Sequence, residues 1–172
     1  MKSKMLLRLL LGIYSANDYI VIGRKLSKKS LRGGRGLIKT FLKWKYACIG
    51  EQYNLEISNF DNIGENLVLA HPSGITINPR AVIGDNCVIF KNATIGSVRS
   101  GKREGVPIIG NNCVIGTGAF VCGGISIGNN VLIAANSFVD FDVPSHSLVL
   151  GNPGVIYPKE NATIDYSGIE GF

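Results

Sequence analysis

Between Ile63 and Pro144 an aliphatic residue returns every six positions. The series runs Ile63, Leu69, Ile77, Ile83, Ile89, Ile95, Ile109, Ile115, Val121, Ile127, Ile133 and Val139. Two steps, Leu69 to Ile77 and Ile95 to Ile109, are six plus extra residues. A period of six fits neither the 3.6 of a helix nor the 2 of an ordinary strand. It fits a chain that makes a short strand, turns a corner and repeats, which is the signature of a parallel β-helix. Four residues after most starts comes a small or apolar residue: Leu67, Ala81, Cys87, Ala93, Cys113, Ala119, Ile125, Val131, Ser137 and Val143. The start is expected to point into a narrow core, with the second residue filling what remains. Gly64, Gly84, Gly96, Gly110, Gly116 and Gly128 follow starts, and Asn66, Asn86, Asn92, Asn112 and Asn130 recur near them. Both residue types are expected to supply the backbone angles that corners require. Each coil pairs with its neighbours, so the repeat must fold as a stack.

Charge separates the chain into parts. Residues 1–45 hold twelve Lys or Arg and one acid, Asp18, whereas residues 46–172 hold six basic and eleven acidic residues. The basic character therefore belongs to the N-terminal segment. That segment, residues 1–50, lacks the hexad period and reads as a basic helical lead-in. Leu37–Ala47 is a short basic amphipathic helix with Phe41, Leu42 and Trp44. It is expected to pack on the first coil, and it admits a peripheral contact of residues 1–45 with an anionic membrane surface. Met5–Ile13 and Asp18–Ile22 fall short of the ~20 apolar residues a spanning helix needs. No clean signal-peptide cleavage site follows the first, so a cytoplasmic protein is expected, at most touching the inner membrane face. Residues 51–158 form the repeat domain, with Ser145–Pro158 closing it, and residues 159–172 read as a loose tail.

Cys48, Cys87, Cys113 and Cys122 have no metal or redox spacing, and two of them sit on the small-residue position, so reduced core cysteines and no metal are expected. Two histidines are present. His71 lies in the first irregular corner, LAHPSGIT, and His146 follows Pro144 in the closing segment. An imidazole titrates near ~6.5 in water, which suits a general base. Glu56 lies fifteen residues before His71. With most of a coil between them the two are expected to meet at one corner, where a carboxylate orients the imidazole. Ser97–Pro107 interrupts the repeat with Arg99, Lys102 and Arg103. Such a loop on a rigid scaffold is a natural carrier of function.

These residues resemble the hexapeptide-repeat acyltransferases, and within them the serine acetyltransferase-like branch. Leu69–Ile77 (LAHPSGITI), the loop within Ile95–Ile109, and Val143–Ile156 (VPSHSLVLGNPGVI) carry the resemblance. It implies a mainly β fold, a left-handed parallel β-helix preceded by a short N-terminal helical segment. It also implies a homotrimer with active sites between subunits, acetyl-CoA as donor, His71 as catalytic base and Glu56 as its partner. For the donor it points to backbone amides at Ser97, Thr117 and Ala135, on corners along one edge, with Asn152 and Pro153 covering the pantetheine arm. Lys159, Arg99, Lys102 and Arg103 are candidates for the phosphates. The serine enzymes carry a basic residue and a His at the end of the loop and an acid before the catalytic His. Here those positions are Gly105, Val106 and Ala70. On that ground serine is not expected as the acceptor. A sugar hydroxyl in surface or capsular polysaccharide biosynthesis is expected instead, with serine O-acetylation or a non-catalytic β-helix as the alternatives. A carbonic anhydrase of the same fold needs three His on a metal and is disfavoured. Nucleic-acid binding through the basic N-terminus lacks a recognised motif.

Overall fold

In a computed structural model of the chain, which describes residues 15–27 and 36–166, the repeat winds into a three-faced prism. The apolar run Met5–Ile13, the pair Gly33-Gly34 and the last six residues lie outside the described residues. The first face stacks β1 (Glu56–Ile57), β3 (Thr76–Ile77), β6 (Thr94–Gly96), β9 (Phe120–Cys122) and β12 (Phe138–Val139). The second stacks β4 (Val82–Ile83), β7 (Ile108–Ile109) and β10 (Ser126–Ile127). The third stacks β2 (Val68–Ala70), β5 (Val88–Phe90), β8 (Val114–Ile115), β11 (Val131–Ile133) and β13 (Ser147–Leu150). All these pairings are parallel; only β14 (Val155–Pro158) returns antiparallel, along β13. The coil is a left-handed parallel β-helix, an exception to the right-handed crossover rule.

Every hexad start is buried, and so is every small-position residue named above. The stack holds itself together by this repetition, since burying one isoleucine contributes about 2 kcal/mol. Cys87 and Cys113 donate their thiols to the carbonyls of Gly110 (3.3 Å) and Gly128 (3.1 Å) on the next coil. The contact with Cys87, together with burial, pushes the Cys113 thiol up. All four cysteines are free.

The asparagines behave as expected: Asn66, Asn86, Asn92, Asn112 and Asn130 all have positive φ, between 53° and 59°. The glycines of the period do not. Gly64, Gly84, Gly110 and Gly128 are absent from the positive-φ residues and are required for a different reason. They stack at the corner between the second and third faces, where a Cβ on each would come within 2.8 Å of backbone atoms on the next coil. The same corner threads a ladder of side-chain acceptors. The amides of Glu65, Asp85, Asn111 and Asn129 donate to Asp85 Oδ1, Asn111 Oδ1, Asn129 Oδ1 and Ser145 Oγ at 2.7–2.9 Å. Close backbone approach therefore decides glycine here.

Two helices close the N-terminal end of the prism. Helix α1 (Ala16–Ser27) begins at a cap in which the Ser15 amide donates to Asp18 Oδ2 at 2.9 Å. Helix α2 (Leu37–Tyr53) runs six residues past the expected end and stops at Asn54, in the left-handed region. Tyr19 of α1 stacks on Tyr46 of α2 at 4.2 Å and donates its hydroxyl to the Leu55 carbonyl at 3.2 Å. Arg24 reaches the carbonyls of Ile63 and Gly64 on the first coil. At the other end, residues 159–166 are docked rather than loose. Ala162 is buried, and Thr163 donates its hydroxyl to Asn130 Oδ1 at 2.7 Å. A turn at Ile164–Tyr166 then sets Tyr166 edge-on to Phe90 at 5.9 Å.

Candidate active site

The register locates the first irregular corner to the residue. Ala70 pairs with Phe90 before it, and the Asn92 amide donates to the Ser73 carbonyl after it at 2.7 Å. One residue, Lys91, therefore spans on the second coil what His71, Pro72 and Ser73 span on the first. The two extra residues therefore fall within His71–Ser73, which bulges from the corner between the third and first faces. His71 is exposed, with φ 50° and its ring 6.5 Å from that of Phe90. An imidazole directed into the prism would have been excluded as a base; this one faces outward.

Glu56 stands on the strand beneath the one this corner enters. β1 pairs with β3 so that Glu56 opposes Thr76, and the Gly74 amide donates to the Tyr53 carbonyl at 3.0 Å. The His71 bulge and the Tyr53–Glu56 turn are thus bound to one another at one end of the first face. The Glu56 carboxylate is exposed and accepts from Thr76 Oγ1 at 3.5 Å. It borders a groove of about 560 Å³ that runs along the first face past Thr76 and Asn78 to Ser97, with Tyr19 and Tyr46 at its base.

The residues expected to bind the donor divide between corners. The Gly118 amide donates to the Lys91 carbonyl at 3.0 Å and the Asn136 amide to the Thr117 carbonyl at 2.9 Å, so Lys91, Thr117 and Ala135 rise coil by coil on the edge that carries His71. Asn152 and Pro153, between β13 and β14, stand at the top of the same edge. Ser97 does not. It follows β6 and lies on the corner between the first and second faces, one face-width away. Lys159 also departs: β14 carries the chain back across the third face, and the Lys159 amide donates to the His146 carbonyl at the opposite corner. Of the three amides expected along one edge, Thr117 and Ala135 share it and Ser97 does not. Counting hexads in threes separates them, because Ser97 follows a first-face start and Thr117 and Ala135 follow third-face starts.

The Ser97–Pro107 insertion is a docked hairpin. Val98 and Gly105 exchange backbone hydrogen bonds of 3.0 Å, and the Gly124 amide donates to the Arg103 carbonyl at 2.8 Å. Arg103 pairs with Asp142 at 3.1 Å. The Ser126 amide and then Arg103 hold the Asp142 carboxyl below its usual range. Arg99 and Lys102 remain exposed toward the hairpin tip. His146 has Nδ1 at 2.9 Å from both Asn130 Nδ2 and the Glu160 carbonyl, at the corner that anchors the tail. Among the described residues no group of three His, Cys, Asp or Glu side chains is placed to hold a metal. Sequence reasoning missed Lys91, Phe90 and Tyr166 beside the bulge. Tyr166 lies past the last coil, where no period marks it.

Residues 107–140 match the bacterial transferase hexapeptide (six repeats) family. The serine acetyltransferase of Synechococcus elongatus is 39% identical over 113 residues, covering 64% of this chain and 46% of that protein. Among solved structures, the Neisseria gonorrhoeae serine acetyltransferase in complex with serine matches with a TM-score of 0.66 and 30% identity, over 81% of this chain and 55% of that one. The Brucella abortus serine acetyltransferase in complex with coenzyme A matches with a TM-score of 0.66 and 27% identity, over 84% and 54%. The chain spans about half the length of these relatives.

These relatives overturn the expectation of a sugar acceptor and of polysaccharide biosynthesis, which rested on residues that are missing. The structure accounts for two of the three departures, Gly105 and Ala70. Gly105 has φ 134°, and a Cβ there would stand 3.0 Å from Gly124, so the docking of the hairpin fixes its identity. Ala70 is fully buried in a cluster with Val88 and Val114, where packing alone demands a small apolar residue. Both positions report on the scaffold, not the acceptor. By period, register and likeness, the body of this chain is a hexapeptide-repeat left-handed β-helix, and its residues 107–140 match the bacterial transferase hexapeptide family.

Proposed function

We propose that the chain transfers an acetyl group from acetyl-CoA to the hydroxyl of serine, with His71 as general base. The observation that carries this reading is the two-residue insertion within His71–Ser73. It puts an exposed imidazole at the foot of an edge whose upper coils bear Thr117 and Ala135. Coils are spaced by about 4.8 Å, so that edge offers roughly 14 Å of aligned backbone above the imidazole. The relatives solved with coenzyme A and with serine support both substrates.

In this mechanism His71 takes the proton of the acceptor hydroxyl as the oxygen attacks the thioester carbonyl. It returns the proton to the departing thiolate, so acid and base are one group. Glu56 holds the ring in the productive tautomer and stabilises the imidazolium that forms. Amides of the Thr117 and Ala135 corners line the donor arm, and Asn152 and Pro153 close over it. The acceptor occupies the first-face groove by Glu56 and Thr76. Neighbouring copies in a homotrimer complete the walls of this open groove.

Purified chain supplied with acetyl-CoA and serine is expected to release CoA thiol in a serine-dependent manner, with O-acetylserine as product. Thiol release indifferent to serine would reject the acceptor. Glu56→Gln is expected to lower kcat roughly tenfold or more while leaving both KM values little changed, because it removes an orienting charge rather than a binding contact. Steady-state kinetics at several pH values check this, and unchanged kcat would remove Glu56 from the site.

A further inference from the structure

The outer side of the third face carries an apolar cluster of its own. Ala70, Val88 and Val114 form it, with Val68, Phe90 and Leu132 packed at its margin. The segment after β14 is tied down beside this cluster. Thr163 gives its amide (3.2 Å) and its hydroxyl (2.7 Å) to Asn130 Oδ1. The turn at Ile164–Tyr166 is then closed by the Tyr166 amide, which donates to the Thr163 carbonyl at 2.9 Å. Tyr166 packs against the cluster, and Val88 and Val114 are left 6% and 2% exposed. A buried apolar patch accounts for the docking of the turn, but not for an aromatic residue at its end.

The aromatic ring has a second neighbour to serve. Tyr166 meets Phe90 edge-on, with centroids 5.9 Å apart and planes at 84°. Phe90 in turn stands 6.5 Å from the His71 ring, tilted by 43°. Both separations fall in the range where aromatic rings attract one another. Three rings thus run in a row from the docked turn to the imidazole. The bulge needs such a support. Its backbone is fixed on one side by the Ala70–Phe90 pairing and on the other by the Asn92–Ser73 bond. The exposed imidazole can still turn about its own side-chain bonds. A base in the proposed reaction must show one nitrogen to the acceptor and the other to Glu56. Glu56 lies on the first face, whereas Phe90 bounds the ring from the third. Phe90 is itself only half-buried, and Tyr166 is the ring set against it.

We propose that Phe90 and Tyr166 are positioning residues for the acetyl transfer: Tyr166, carried by the docked turn, holds Phe90, and Phe90 holds the His71 ring in its working orientation. This rests on the reading of His71 as the base. Neither residue touches substrate in this arrangement. Both act on the angle of the imidazole, so their loss falls on kcat and spares the binding of acetyl-CoA and serine.

The test combines kinetics with the proton resonances of the imidazole. Tyr166→Ala is expected to lower kcat roughly tenfold, short of the 10²-fold that an ångström of misplacement costs, with both KM values near the parent's. Tyr166→Phe is expected to restore kcat, because the contact is made by the ring. Phe90→Leu removes the middle ring, keeps an apolar side chain in the cluster, and should lower kcat at least as far as Tyr166→Ala. Melting curves of each variant establish that the stack is folded. The chain has two histidines, so the His71 ring protons are identified by their loss in His71→Asn. They are expected to move in Phe90→Leu and in Tyr166→Ala, and to stay in place in Tyr166→Phe. Parent-like kcat in a folded Tyr166→Ala, a rise in KM with kcat retained, or unmoved His71 protons would overturn the proposal. A parent inert toward serine would sink the acetyl-transfer reading and this one together, whereas unmoved protons in an active enzyme would sink this one alone.

Discussion

His71→Asn is expected to fold as the parent does and to transfer acetyl groups more slowly by a factor on the order of 10²–10⁴, the range for loss of a general base. Asparagine is the informative replacement. His71 has φ 50°, and the chain itself places asparagine at this angle at Asn66, Asn86, Asn92, Asn112 and Asn130. The variant therefore removes the base and keeps the bulge. His71→Ala removes the base as well, but adds about 1 kcal/mol of left-handed strain at the corner. The loss should fall on kcat, with KM for acetyl-CoA near the parent value, because the imidazole acts on the proton rather than on the donor. Steady-state kinetics and a melting curve of the same preparation separate a lost base from a lost fold. Parent-like turnover by a folded His71→Asn would remove His71 from the chemistry.

Gly110→Ala is expected to destabilise the stack by about 3 kcal/mol, the upper end of overpacking costs, because the atoms it meets are backbone. Its Cβ would stand 2.8 Å from the carbonyl carbon and oxygen of Gly128 and 2.5 Å from Asn129 Oδ1. The last of these accepts the Asn111 amide at 2.8 Å, so the clash also strains the ladder at that corner. For a chain of this length the melting temperature should fall by roughly 6–12 °C. Gly96→Ala is the control. It occupies the same place in the hexad, but its nearest neighbours would be 3.8 Å away, and little change is expected. Equal effects from the two substitutions would show that close coil approach does not decide which glycines the repeat needs.

The prism was legible because its cause is periodic. Each start from Ile63 to Val139 repeats one local instruction, and all of them are buried. The His71 corner was legible for the converse reason, a fixed count broken by two residues. Corner identity was harder to see. Ser97 and Thr117 follow similar hexads, and only the count of faces places them on different edges. The role of the glycines was misread, since a sequence shows that glycine is needed and not whether an angle or a neighbour requires it. Gly105 and Ala70 carried the wrong conclusion about the acceptor because hairpin docking and core packing, neither visible along the chain, already explain them. The docking of Thr163 and Tyr166 has no periodic signal, and it depends on Asn130 and Phe90, far away in sequence.

A structure of this protein with coenzyme A bound would test the central claim most directly. The pantetheine arm is expected along the Thr117 and Ala135 amides, with its sulfur beside the His71 ring. Coenzyme A lying on the Ser97 corner, or with its sulfur remote from His71, would contradict it.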